Sequence, residues 1–212
     1  QYRELAATDY ATCAIEKNSG YIECWGYTPH FDDMPYDYGY ANLIATDGAF
    51  CATRYDSRID CWGSSDQTQN KPTTSGFYQR ITANNDSFCS IDSNGKVMCW
   101  GGYSSTTLGP TPYPEERFNA VALSGDSVCA TKIDGVPLCW GPSYYGSGSP
   151  PQTAADVYQQ LVPGCYTMCG RRSATRTVEC WGYGRPPGSC GNGIVEPGEA
   201  CEPSAGSTCS AD

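Results

Sequence analysis

Apolar residues come along this chain in short bursts between long polar stretches, and nowhere at the spacing of an amphipathic helix. Five bursts align from Leu5, Leu43, Ile81, Val121 and Leu161, and each predicts a short buried strand. Shortly after each start the aligned residues are Asp9, Asp47, Asn85, Gly125 and Cys165, mostly types that tolerate a tight turn. A second strand then runs through a cysteine, with an apolar residue before it in most repeats (Phe50, Phe88, Val128, Met168). A small residue follows that cysteine every time: Ala14, Ala52, Ser90, Ala130, Gly170. This column predicts a place too crowded for a larger side chain. A third strand carries Ile22, Ile59, Val97 and Val178 just before another cysteine. Pro137 takes that place in the fourth repeat, which predicts a sheet edge or a local break in pairing.

The second and third strands are joined by hairpins. Asp92-Ser93-Asn94-Gly95-Lys96 and Lys132-Ile133-Asp134-Gly135-Val136 read as type I turns closed by a glycine bulge. That register sets Cys89 opposite Cys99 and Cys129 opposite Cys139 at non-hydrogen-bonded positions, a spacing a disulfide accepts. The same pairing elsewhere gives Cys13–Cys24, Cys51–Cys61 and Cys169–Cys180. Each third strand ends in Cys-Trp-Gly, around Trp25, Trp62, Trp100, Trp140 and Trp181, at a period of about 40 residues. Repeats of this kind bury a core only by stacking on their neighbours, so five should form one body. The expected organisation is a repeat domain over residues 1–184, then a linker and cysteine-rich tail over 185–212. Cys165, Cys190, Cys201 and Cys209 are left over. Of the connectivities open to them, Cys165–Cys190 with Cys201–Cys209 is the expected one.

Fourteen cysteines in a chain of 212 residues imply an oxidising compartment. No apolar run reaches the length of a membrane span, so no membrane insertion is expected. The expectation is a mature secreted or cell-surface chain, its leader removed, with Gln1 as the new N-terminus. A net charge of −10 argues against nucleic acid as a partner.

Turn residue, apolar-Cys-Ala core, Asp-Gly hairpin and Trp-Gly ending stand together in Val128-Cys129-Ala130, Asp134-Gly135 and Cys139-Trp140-Gly141. This unit resembles the regulator-of-chromosome-condensation repeat, a β-propeller blade, in a cysteine-bearing form similar to secreted bacterial versions. The resemblance covers roughly residues 4 to 182 and implies an all-β propeller of five short, disulfide-stapled blades. It departs from the family after Trp-Gly, where only Leu108-Gly109 is left of the usual Gly-Gln-Leu-Gly. Five blades leave a closed ring, an open arc, or an arc closed by a neighbouring molecule as alternatives. The tail from Cys190 to Glu202 resembles a short cysteine-rich repeat of secreted myxobacterial and eukaryotic surface proteins, and the opening of disintegrin-type domains.

No catalytic constellation emerges. His30 is the one histidine, in a polar loop, and no nucleophile-elbow motif accompanies it. Asp32-Asp33 and Glu115-Glu116 are adjacent acids, which point apart rather than facing each other across a sugar. The cysteine spacings suit hairpin bridges rather than zinc knuckles, and Asn192, Glu196, Glu199 and Glu202 lack a complete calcium loop. Neither metal nor cofactor is expected. Tyrosine, sixteen in all, is the distinctive surface residue. Many tyrosines follow Trp-Gly, and with Gly and Ser they make the composition of adaptable recognition surfaces. The candidate contact residues are Tyr36, Tyr38, Tyr40, Tyr103, Tyr113, Tyr144 and Tyr145. Asn85-Asp86-Ser87 is the one N-glycosylation sequon. The function expected is a non-enzymatic secreted module that binds protein or glycan. The alternative is a structural subunit of an extracellular filament or surface assembly, in contact with copies of itself.

Overall fold

The computed structural model describes residues 1–27, 31, 33–72, 78, 80–84, 86–102, 111–125, 127–141, 148, 150, 157–164 and 167–182, with backbone alone at Arg80. Its strands form five three-stranded antiparallel sheets, one per repeat. The first holds β1 (Tyr2–Ala7), β2 (Ala11–Glu16) and β3 (Ile22–Gly26). The second holds β4 (Tyr40–Ala45), β5 (Ala49–Arg54) and β6 (Ile59–Gly63). After β6 comes a single helical turn, α1 (Ser65–Thr68). The third holds β7 (Arg80–Ala83), β8 (Ser87–Ile91) and β9 (Val97–Gly101). The fourth holds β10 (Phe118–Ser124), β11 (Ser127–Lys132) and β12 (Pro137–Trp140). The fifth holds β13 (Tyr158–Pro163), β14 (Thr167–Arg172) and β15 (Val178–Gly182).

These sheets are propeller blades. The first strand of each lines a common central space, to which Glu4, Leu43, Ile81, Val121 and Leu161 contribute. The third strand of each is outermost. Pro137 therefore lies on an edge strand, where its missing N–H costs nothing, and it still pairs with Thr131. In every blade the paired cysteines stand directly opposite on the second and third strands, with Cα atoms 4.0–4.1 Å apart. That is the close approach of a non-hydrogen-bonded pair, and all five predicted bridges are formed. Cys165, Cys190, Cys201, Cys209 and the tail lie outside the described residues.

The glycine of Trp-Gly has a steric cause. Gly63 has φ +106°, and a Cβ there would lie 2.6 Å from the Gly48 carbonyl oxygen. The hairpins close as predicted: the Gly95 N–H donates to the Asp92 carbonyl at 3.0 Å, with Gly95 at φ +76°. The same hairpin position is held by Gly20, Ser57, Gly135 and Arg176, all with positive φ.

The small residue after the first cysteine also has a cause. An aromatic ring opens the first strand of four blades and stands two residues before it in the third, in the column Tyr2, Tyr40, Tyr78, Phe118, Tyr158. The ring crosses the middle strand over the small residue toward the outer-strand residue that pairs with it. Thus the Tyr40 hydroxyl donates to Asp60 at 2.8 Å, and Asp60 is the register partner of Ala52. Tyr158 donates to Glu179, the partner of Gly170, at 2.9 Å. Tyr2 reaches Glu23, the partner of Ala14. Where the ring is Phe118 and has no hydroxyl, the outer residue is Leu138, the partner of Ala130. A Cβ on Gly170 would meet the Tyr158 ring at 2.3 Å, which shows how tight this crossing is.

Blades stack one on the next, with an apolar cluster at each of four junctions. Each blade presents a leading face to the blade before it and a trailing face to the blade after it. The first junction packs Tyr40, Leu43, Phe50 and Trp62, from a leading face, on Cys13, Ile15 and Ile22, from a trailing face. The second packs Phe88 and Trp100 on Cys51 and Ile59. The third packs Phe118, Val128 and Trp140 on Cys89 and Val97. The fourth packs Tyr158, Met168 and Trp181 on Ala122 and Cys129. Trp62 stacks on Phe50 and Trp100 on Phe88, with ring centroids 5.6 and 5.7 Å apart. Burial of large rings and of the sulfur pairs thus holds the blades together.

Candidate functional site

Loop chemistry gathers at the junction of the first two blades, at both ends of the strands. At the hairpin end lie Tyr36 and Tyr38, the former 76% exposed. The Tyr38 ring lies 5.6 Å from Tyr21. Asp37 pairs with Arg54 at 2.6 Å. The Tyr38 N–H and then the Arg54 guanidinium hold the Asp37 carboxyl below its ordinary range. Arg3 bridges the two blades: it donates to the Tyr40 carbonyl and to the Tyr55 hydroxyl, and its guanidinium lies 5.3 Å from the centre of the exposed Tyr55 ring. The result is an exposed patch of tyrosines laced with arginine.

At the other end, the turns between first and second strands border a cleft of 620 Å³. Tyr10, Tyr27 and Phe31 supply its rings, and Asp9, Asp47 and Gln67 its polar groups. The Gln67 side-chain oxygen Oε1 accepts from the Thr46 hydroxyl at 2.6 Å and from the Gly48 N–H at 3.1 Å, which fixes the side chain. Burial, and then the nearby Asp9 and Asp86, push the Asp47 carboxyl above its ordinary range. Ring-lined and carrying several polar groups, Thr8 and Ser64 among them, this cleft is a candidate ligand site.

Two sequence candidates need correction. Tyr40 is not a loop contact: it opens β4, is 0% exposed, and its phenol is pushed upward by burial and by its hydrogen bond to Asp60. Composition suggests a polar segment from Tyr27 to Ala41, but the strand already begins at Tyr40, so the loop ends two residues earlier. Tyr113 is half-buried and packs edge-on against Trp140, at 6.0 Å and 73°, so its ring belongs to the third junction. Tyr36 and Tyr38 are exposed. Tyr103, Tyr144, Tyr145, Asn85, His30 and Asp32 lie outside the described residues. Tyr10, Tyr21, Tyr55, Arg3 and Arg54 were not anticipated. They lie outside the Trp-Gly loops, in turns, hairpins and strands, and the only signal was that Tyr21 and Tyr55 border hairpin turns. Glu116 lies 3.8 Å from Lys132. Among the described residues no group of three His, Cys, Asp or Glu is placed to hold a metal ion.

No family model matches the chain, and no curated protein matches it. Solved structures do. The entire ectodomain of the Physcomitrella patens receptor kinase CR4 is 24% identical with a TM-score of 0.69, over 87% of this chain and 53% of that one. The CRINKLY WD40 ectodomain of the Arabidopsis thaliana receptor kinase ACR4 is also 24% identical with a TM-score of 0.69, over 89% of this chain and 71% of that one. Yeast RCC1 is 12% identical with a TM-score of 0.63, over 87% of this chain and 56% of its own. The fold is that of an RCC1-like β-propeller. At these identities the likeness shows the fold alone, and the chain spans about half the length of the moss ectodomain.

Proposed function

We propose that this RCC1-like propeller is a secreted, non-catalytic interaction module that binds a protein partner at the hairpin end of its first two blades. The observation that carries this reading is the exposed patch of Tyr36, Tyr38 and Tyr55, held in place by Arg3 and Arg54. Rigid rings with a polar tip give contact area at little entropic cost, and arginine adds charge and stacking. Five disulfides favour an extracellular setting, and no helix among the described residues is long and apolar enough to cross a membrane. The likeness to receptor-kinase ectodomains fits that setting, and yeast RCC1 was solved with another protein bound.

The 620 Å³ cleft favours a second reading, a glycan stacked on Tyr10 or Tyr27 with its hydroxyls on Asp9 and Asp47. On either reading residues 185–212 are a linker and cysteine-rich tail, and Asn85 carries a glycan in eukaryotic material. The test is a glycan array and a panel of extracellular proteins from the source, probed with wild type, Tyr38→Ala and Tyr27→Ala. Loss of protein binding in Tyr38→Ala alone supports the first reading, and loss of glycan binding in Tyr27→Ala alone supports the second. Binding that survives both changes overturns the two together.

A further inference from the structure

The stretch from Met34 to Tyr40 sets two phenols on the surface inside an acidic run. Met34 packs on the first junction, and at the other end the Gly39 and Tyr40 N–H groups donate to the Ser19 and Gly20 carbonyls at 3.2 and 3.1 Å. Between these anchors Tyr36 and Tyr38 are 76% and 62% exposed and belong to no strand or helix. Asp37 stands between them, Asp32 and Asp33 come shortly before, and Pro35 and Gly39 flank the pair. The sequence has no lysine or arginine between Lys17 and Arg54, and no cysteine between Cys24 and Cys51. The segment is thus acidic and held at its ends, and an enzyme can reach its middle without opening a sheet.

We infer that Tyr36 and Tyr38 are sites of O-sulfation, modified by a sulfotransferase whose donor is a phosphosulfate nucleotide. The chemistry of the donor selects such a segment. It carries several negative charges, so the transferase holds it in a basic cleft, and that cleft draws in acidic segments and repels lysine and arginine. In the transfer the phenol gives its proton to a base of the transferase, and its oxygen attacks the donor's sulfur. The S–O bond to the nucleotide's phosphate breaks, the nucleotide bisphosphate leaves with the bonding pair, and nothing is oxidised or reduced. A charged aryl sulfate ester remains on the ring.

Other tyrosines fail one requirement or another. Tyr40 and Tyr158 are buried, with their hydroxyls committed to Asp60 and Glu179. Tyr55 is 66% exposed, but Arg54 and Arg58 flank it and its hydroxyl accepts from Arg3. Tyr10 is 67% exposed and follows Asp9, but the next residue already opens β2, which the Cys13–Cys24 bridge ties down. Sulfate on Tyr36 and Tyr38 adds negative charge and strong acceptor oxygens to the patch, chemistry that suits arginine on a partner. The inference thus deepens the tyrosine-patch reading and rests on its extracellular setting.

The test incubates the full disulfide-bonded chain with a purified tyrosylprotein sulfotransferase and a phosphosulfate nucleotide labelled at sulfur, and peptide mapping locates the label. Label is expected at Tyr36 and Tyr38 and absent from Tyr10 and Tyr55. Tyr36→Phe and Tyr38→Phe should each keep label on the other ring, and the double variant should lose it. Asp33→Asn with Asp37→Asn is expected to slow transfer at least about tenfold. That pair of changes also releases the stretch from Arg54, so a slower reaction reports lost recognition rather than lost access. Intact mass of the chain from its natural source should show the added sulfo groups. A chain that takes no label overturns the inference, as does label confined to Tyr10 or Tyr55, transfer unchanged by loss of both acids, or natural material unmodified at both rings. Labelling needs no partner, so a patch that takes label but captures no protein refutes the binding reading alone and leaves this site standing.

Discussion

Transplanting one blade's cross-sheet pair into another tests the internal logic of the repeat. The second blade uses Tyr40 with Asp60 where the fourth uses Phe118 with Leu138. Tyr40→Phe removes a 2.8 Å hydrogen bond to a carboxylate. Such bonds contribute about 1.5–3 kcal/mol. The Asp60 side chain is 38% exposed and keeps Arg54 at 3.8 Å, so water and that partner reduce the loss to about 1 kcal/mol. Asp60→Leu is worse, because it leaves a hydroxyl in a fully buried residue with no acceptor, at about 1–3 kcal/mol. The double variant removes both polar groups and recreates the fourth blade's pair, so its stability is expected within about 1 kcal/mol of wild type. The cycle should therefore give a coupling of about 1–4 kcal/mol. Urea denaturation of all four proteins under non-reducing conditions measures it, provided the m-values agree. Additive single effects would refute the idea that ring and outer-strand residue act as a unit.

Gly63→Ala is expected to destabilise by roughly 2–3 kcal/mol, since its φ of +106° and the Gly48 carbonyl both oppose a side chain; thermal unfolding measures this, and a change under about 0.5 kcal/mol counts against it. Cys169–Cys180, both partly exposed, should be reduced by a limiting thiol ahead of the buried Cys51–Cys61; peptide mapping of alkylated intermediates gives the order. Burial raises the Asp47 carboxyl, and Asp9 and Asp86 add to this, so the folded chain holds that proton more firmly than the unfolded chain does. The stabilisation from this proton is present at acid pH and lost as pH rises through the folded-state value, so Asp47→Asn should be more stable than wild type near pH 7, with the gap closing toward about pH 4. Denaturation midpoints at the two pH values decide it, and a gap that widens on acidification contradicts the assignment.

The scaffold was legible because its causes are local. Hairpin loop length set the cysteine register, so Cys89 could be placed opposite Cys99 without any tertiary information. The small-residue column was visible, but its reason was not. That reason needs the aromatic at the start of the first strand, and composition had assigned Tyr40 to the preceding loop. A tyrosine one residue inside a strand reads like its loop neighbours until the packed sheet shows which way the ring lies. The candidate site was legible only as a residue type, because the junction of two blades is built from segments far apart in sequence. Arg3 and Tyr55 meet across a distance that no periodicity reports.

Equivalent columns also separate what a residue is from where it stands. Trp25 and Trp100 occupy the same place in the same motif, yet one is 44% exposed and the other 0%. The motif is therefore not what buries the ring. A blade folds around its own disulfide and its own aromatic crossing, as the first blade does with Cys13–Cys24 and Tyr2 over Ala14 toward Glu23. The tryptophan waits on the blade before it. Stability of the row thus divides into terms within blades and terms between neighbours, as in other repeat arrays. Among the described residues, the first blade has its internal terms but no leading junction, and the fifth lacks a trailing one. Among the described residues, Trp25 and Val178 at those two faces stand exposed in the columns that the chain buries at its four junctions.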